Sequence, residues 1–148
     1  MKRISVLGSA GSIGIQALDV IRLHPDKFQV VALASGTNTE ILERQIREFR
    51  PYMVSCANKE SCEEIKSRLI DYHEPLQILH SREGLELAAT FDSADLVVGG
   101  LPGSIGLRPA FMSIASGKDL ALATKEALVV AGSIVTAEAK STTSASCR

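Results

Sequence analysis

Short apolar runs alternate along this chain with longer stretches whose apolar positions recur every three or four residues. The first run, Ile4 to Leu7, ends at Gly8. Ile13, Ala17 and Ile21 then predict a helix from Ser12 to His24, stopped by Pro25. Gln29 to Ala34 is a second run, rich in small and β-branched residues. Leu42, Ile46 and Phe49 predict a helix from Thr39 to Phe49, with Pro51 just beyond it. Tyr52 to Cys56 reads as a third strand. Asn58 is positioned to cap a helix through Asp71, with Cys62, Ile65 and Leu69 inward. The pattern continues with a strand at Leu76 to Leu79, a helix from Ser81 to Thr90 and a strand at Asp95 to Val98. A glycine-rich turn, a helix to Ser116, a strand at Asp119 to Ala123 and a last helix from Thr124 complete it.

Several of these strands are continuous apolar runs rather than alternating ones. Continuous runs are buried on both faces, as in a parallel sheet flanked by helices. The expected fold is α/β: a doubly wound parallel sheet, Rossmann-like, in one domain over residues 1–140. Residues 141–148, with five hydroxyl residues between Lys140 and Arg148, lack apolar periodicity and read as a tail.

With 16 basic and 17 acidic residues the chain is nearly neutral, which excludes nucleic-acid binding by bulk charge. Of the 33 charged residues 14 lie between Glu40 and Glu74, but six are basic and eight acidic, the mixture of a solvated surface. No apolar run approaches the roughly 18 residues of a membrane span. Cys56, Cys62 and Cys147 are odd in number and show no C-x-x-C spacing, which suits a reducing cytoplasm better than a disulfide framework. His24, His73 and His80 form no metal-binding pair, and read as ordinary surface or loop residues.

The strongest chemical signal is Gly8-Ser9-Ala10-Gly11-Ser12-Ile13-Gly14, between the first strand and the first helix. Glycines there permit a tight turn and close approach of backbone to a pyrophosphate, which the free N–H groups of the helix start would face. The same spacing also serves close helix–strand packing alone. At the end of the second strand, Ser35-Gly36-Thr37-Asn38 carries no carboxylate for a ribose 2′-hydroxyl, which favours NADP(H) over NAD(H). No Arg or Lys stands there either, and Arg44 is the nearest cation along the following helix. Phosphate-binding loops of the G-x-x-x-x-G-K-[S/T] type, Tyr-x-x-x-Lys pairs and G-x-S-x-G elbows are absent from the sequence. Ala123-Thr124-Lys125-Glu126-Ala127 follows the last strand, at the sheet edge where such folds bind ligands. It is equally a plain helix start.

The glycine turn, the Ser35–Asn38 corner and above all Gly117-Lys118-Asp119-Leu120-Ala121-Leu122-Ala123-Thr124-Lys125-Glu126-Ala127-Leu128-Val129 resemble the 1-deoxy-D-xylulose 5-phosphate reductoisomerase family. The likeness runs from Met1 to Lys140. It implies an NADPH-dependent enzyme that rearranges a phosphorylated ketose and reduces it to 2-C-methyl-D-erythritol 4-phosphate, early in non-mevalonate isoprenoid biosynthesis. Mg²⁺ or Mn²⁺ would assist as a Lewis acid. The resemblance assigns Ala10, Gly11, Ser12 and Ile13 to the pyrophosphate. Gly36, Thr37 and Asn38 would meet the adenosine ribose and its phosphate, Thr124 and Glu126 the cofactor, and Lys125 the substrate.

This chain departs from the family pattern at Ala10, where the family has Thr, at Thr37, where it has Lys or Arg, and at Thr124, where it has Asn. The family's acidic metal motif finds no counterpart after Lys140. The expectation is therefore a cofactor-binding fragment, inactive by itself, with no catalytic residue or metal ligand of its own. Catalytic and C-terminal domains would be absent. An exposed sheet edge and apolar surface near the last helix would favour self-association, a homodimer included. The alternative reading is a non-catalytic NADP-binding or interaction domain. A third reading, a semialdehyde-type dehydrogenase, would require a catalytic cysteine that this chain does not carry in a suitable place.

Overall fold

The computed structural model describes residues 1–101 and 107–122. Six strands, β1 (Lys2–Leu7), β2 (Phe28–Ala34), β3 (Met53–Cys56), β4 (Gln77–His80), β5 (Leu96–Gly99) and β6 (Asp119–Leu122), alternate with five helices. These are α1 (Ser12–Leu23), α2 (Thr39–Phe49), α3 (Lys59–Arg68), α4 (Ser81–Ala89) and α5 (Leu107–Ala115). All strand pairs are parallel, in the order β4-β3-β2-β1-β5-β6. This is the expected doubly wound α/β sheet. The last helix and the tail lie outside the described residues.

Two apolar layers explain the continuous runs. On one face Ile4, Val6, Val30, Leu33 and Val54 meet α1, α2 and α3 through Leu18, Ile21, Leu42, Ile46 and Ile65. On the other, Leu7, Ala32, Met53, Val97 and Leu120 meet α4 and α5 through Ala88, Ala89, Ala110 and Ile114. β2 is the clearest case, with Val30 to Ala34 all buried. β4, at the sheet edge, is only half covered.

Local chemistry sets most boundaries. Asn38 Oδ1 accepts from the Ile41 N–H at 3.1 Å and Asn58 Oδ1 from the Ser61 N–H at 2.8 Å, so α2 and α3 start where a capping side chain satisfies a free amide. Two details differ from the sequence pattern. The buried stripe of α1 is Gly14, Leu18 and Ile21, while Ile13 and Ala17 are only half-buried, because Gly14 presses the helix onto the preceding turn. α3 ends at Arg68 rather than Asp71: Leu69 is buried as the C-cap, so the apolar period outlasts the helix.

Reaching β5 from β4 carries the chain across the sheet. α4 packs over β3, β2 and β1 on the way. Ser5 Oγ donates to Ala88 O at 2.7 Å beneath it, and Ser113 Oγ donates to Ala89 O at 2.9 Å beside it. Gly84 lets α4 settle on β3, since a Cβ there would stand 2.3 Å from Ser55 Oγ.

At the amino edge of the sheet, β1 and β5 are locked reciprocally. The Asp95 N–H donates to Arg3 O at 2.7 Å, and the Arg3 N–H donates to Asp95 Oδ2 at 2.9 Å. That backbone donor, helped by the Arg3 guanidinium, holds the Asp95 carboxyl below the usual aspartate range. A lowered folded-state pKa stabilises the fold above the unfolded value, about pH 4, and the contribution fades as pH falls through the folded value. Asp95→Asn is therefore expected to lower stability at about pH 6, the deficit shrinking progressively as pH falls below about 4 and through the lower folded-state value, read from urea denaturation across that range.

Candidate functional site

The carboxyl ends of β1 and β5 form the point where strand order reverses, the place at which open α/β sheets bind ligands. The backbones are pressed together there. The Gly100 N–H donates to Leu7 O at 2.9 Å. Gly8 has φ +81°, and a Cβ on it would lie 2.9 Å from Gly100 O. Both features demand glycine. The Gly8 and Ser9 N–H groups donate to Ala34 O at 2.7 and 2.9 Å, which ties the turn to the end of β2.

α1 then starts without a side-chain cap. Its N-cap is Gly11 in extended conformation, and its first turn carries no acidic residue. α2 and α3 differ on both counts, with Asn caps and with Glu40 and Glu60 in their first turns. A helix start of this kind leaves its first amides for an anion. The three turn glycines have separate reasons. Gly8 is required as above, and a Cβ on Gly14 would stand 2.2 Å from Gly8 O, so packing demands glycine at both. Gly11 is different: a Cβ there would meet nothing nearer than Gly8 O at 3.5 Å, an ordinary contact. Folding leaves that position open above an uncapped helix start.

The structure brings Ala10, Gly11, Ser12 and Ile13 together at this turn. Ala10 and Ile13 are half-buried, and Gly11 and Ser12 are exposed. The Ile13 side chain stands beside Gly100, where an added Cβ would meet it at 3.5 Å. Gly36, Thr37 and Asn38 are exposed at the neighbouring corner. Ser35 N–H donates to Ser55 O and Ala57 N–H to Gly36 O, which fixes that corner against the end of β3. Asn38 Oδ1 is spent on its cap, so only its amide nitrogen is free to donate outward. Arg44 pairs with Glu40 at 2.6 Å on an exposed surface, so the nearest cation along α2 is already neutralised. Thr124, Lys125 and Glu126 lie outside the described residues. Leu122, the end of β6, stands opposite Gly99 at the same edge.

Three polar atoms near these turns are buried without a partner among the described residues: Ser9 Oγ, Ser35 Oγ and Gln45 Oε1. Each such group costs about 1–3 kcal/mol if left dry. Gln45 reaches from α2 to donate to Ser9 O at 2.8 Å. The sequence reading passed over it, although a glutamine between Leu42 and Ile46 on a buried stripe is a visible signal.

Beside the corner opens a cleft of about 550 Å³. Ser35, Gly36 and Ala57 line one side; Leu85, Leu101 and Pro109 line the other. Cys56 also borders it, but burial, with the nearby Cys62, pushes its thiol up to about 11, far from a reactive thiolate. Arg82, Glu86 and Arg108 are the charged residues on the cleft; Arg82 and Glu86 are an i,i+4 pair on α4, but no local pattern links Arg108 to them. Among the described residues no three His, Cys, Asp or Glu side chains gather to hold a metal ion, and no helix is long and apolar enough to cross a membrane.

A family model described as 1-deoxy-D-xylulose 5-phosphate reductoisomerase matches residues 4–132. The enzyme of that name from Chlorobaculum tepidum is 50% identical over 135 residues, covering 91% of this chain and 35% of that relative. The Microcystis aeruginosa enzyme is 47% identical with the same coverage. A crystal structure of DOX-P reductoisomerase in complex with NADPH, fosmidomycin and magnesium superposes with a TM-score of 0.88 at 30% identity, over 96% of this chain and 35% of that one. The Zymomonas mobilis enzyme in complex with NADPH gives 0.86 at 28%, over 95% and 36%. The chain spans about a third of the length of these relatives.

The different roles of the glycines are separable by substitution. Gly14→Ala drives a Cβ into the Gly8 carbonyl and is expected to cost about 3 kcal/mol or more. Gly11→Ala is expected to stay within about 1 kcal/mol of the parent, both measured by urea denaturation.

Proposed function

Because the chain belongs to the 1-deoxy-D-xylulose 5-phosphate reductoisomerase family, we propose that its residues 1–140 are the cofactor-holding domain of an NADPH-dependent reductoisomerase. The reaction is the conversion of 1-deoxy-D-xylulose 5-phosphate to 2-C-methyl-D-erythritol 4-phosphate, a step towards isoprenoids, in the cytoplasm. Residues 141–148 stand outside that domain. The free, buried thiols of Cys56 and Cys62 suit a reducing compartment.

One observation carries the reading: Gly11 is a glycine that packing does not require, set over a helix start that nothing in its own first turn neutralises. That is what a close-approaching diphosphate needs. Gly11, Ser12 and Ile13 would present their amides to it, and Ala10 would flank it without the hydroxyl that the family's threonine offers. Gly36, Thr37 and Asn38 would meet the adenosine ribose. Thr124 and Glu126 are assigned to the cofactor, and Lys125 to the phosphorylated substrate, by the family likeness alone.

When bound, NADPH supplies the hydride. The chain's own contribution is to hold and orient: a fixed turn at the strand-order reversal, a flat cleft beside it, and amides in place of water around the diphosphate. The divalent cation of the family finds no ligand cluster among the described residues, so no step here runs through it.

Titration of the chain with NADPH, followed by nicotinamide fluorescence, is expected to show saturable binding. Gly11→Val, which fills the open position, is expected to weaken it by about tenfold or more while lowering the melting temperature by no more than about 5 °C. No saturable binding, or equal binding by the variant, would remove the basis of the reading.

A further inference from the structure

We propose that Arg82 and Arg108 read the 2′-phosphate of the dinucleotide, from the wall of the cleft opposite the Ser35–Asn38 corner. The inference rests on the nucleotide reading above and adds to it the residues that choose NADPH over NADH.

The usual place for a phosphate clamp is empty of cations here. Ser35 to Asn38 carries none, and Arg44 is tied to Glu40. The net positive charge lies across the cleft instead. Glu86 Oε2 takes the Arg108 Nε at 2.7 Å and the Arg82 Nε at 3.2 Å. Two guanidiniums therefore share one carboxylate, leaving one positive charge over. Each uses only its Nε in that contact. Among the described residues, the terminal nitrogens of both have no hydrogen-bond partner. Anchored at Nε, a guanidinium still offers its outer pair of nitrogens, the arrangement that takes a phosphate bidentately.

The position suits the adenosine half. A diphosphate over α1 sits where β1 and β5 meet, and a dinucleotide extends from there along the strand ends towards β2 and β3. Gly36 borders the same cleft as Arg82 and Arg108, and Ala57, Leu101 and Pro109 give it apolar walls for a flat heterocycle. Ser35, 8% exposed, borders the same cleft with its hydroxyl turned inward. A ribose phosphate brings a charge of about −1.5 to −2, opposite in sign to the surplus guanidinium charge.

The test compares the dissociation constants of NADPH and NADH for the 148-residue chain and for variants of it. The parent is expected to bind NADPH about tenfold or more tightly than NADH. The double variant Arg82→Ala, Arg108→Ala is expected to bring the two within about twofold by weakening NADPH far more than NADH, and Arg44→Ala to keep the preference. Arg82→Lys and Arg108→Lys should retain part of it, as a charge without the fork. The parent's NADPH affinity should also fall more steeply than its NADH affinity between about 50 and about 300 mM salt, a reading that requires no variant. Equal affinities in the parent, a preference that survives the double variant, or parallel salt responses would each overturn the proposal. If neither dinucleotide binds, the nucleotide reading falls and this one with it. If NADPH is preferred but Arg44→Ala abolishes the preference, only this one falls.

Discussion

The rest of the site depends on how closely two backbones approach where β1 and β5 end. Gly8 and Gly100 touch there without side chains, and Gly14 lets α1 rest directly on the turn. A Cβ on Gly8 or Gly100 would force the two strand ends apart, and one on Gly14 would push α1 off the turn. Because the turn is also hydrogen-bonded to Ala34 O, the start of α1 and the end of β2 form one rigid unit. A binding surface built on loops gains precision when the loops are pinned in this way to the sheet that supports them.

Within that unit, polar chemistry is distributed unevenly. α2 and α3 consume their own free amides with Asn38 and Asn58, and add glutamates in their first turns. α1 does neither, so the positive end of its dipole stays available. The cleft next to it is apolar over most of its walls, with its charge confined to the rim. A small ligand could thus be oriented by a few polar contacts while most of its surface is covered by carbon.

Most of the fold was legible because local signals agreed with one another. Leu42, Ile46 and Phe49, with Pro51 beyond them, predict α2 over Thr39–Phe49, and the structure places it there, with Asn38 as the cap. The parallel sheet followed from uninterrupted apolar runs such as Val30 to Ala34. Where the pattern misled, tertiary packing had overridden periodicity. Ile13 was assigned to the inner face of α1, but Gly14 brings the turn so close that Leu18 and Ile21 carry the contact. The glycine turn was readable as a motif. That Gly11 alone among its three glycines is unneeded for packing was not, because it depends on distances to Gly8 O. Arg82 and Glu86 share the i,i+4 spacing of one helix, but Arg108 joins them from α5, 22 residues beyond Glu86, with no period to betray it.

The traverse of α4 beneath the sheet has a consequence for how the molecule is made. β1 pairs first with β2, its neighbour in sequence, but its second partner, β5, begins at Leu96. In a nascent polypeptide leaving the ribosome, one flank of β1 therefore waits for some ninety residues of further synthesis before it is covered, a long-range closure of the slow kind. The half with α1 to α3 can condense in that interval. The arginine-bearing wall is complete only once Arg108 of α5 has followed β5, so the cleft takes its shape after the first half has condensed.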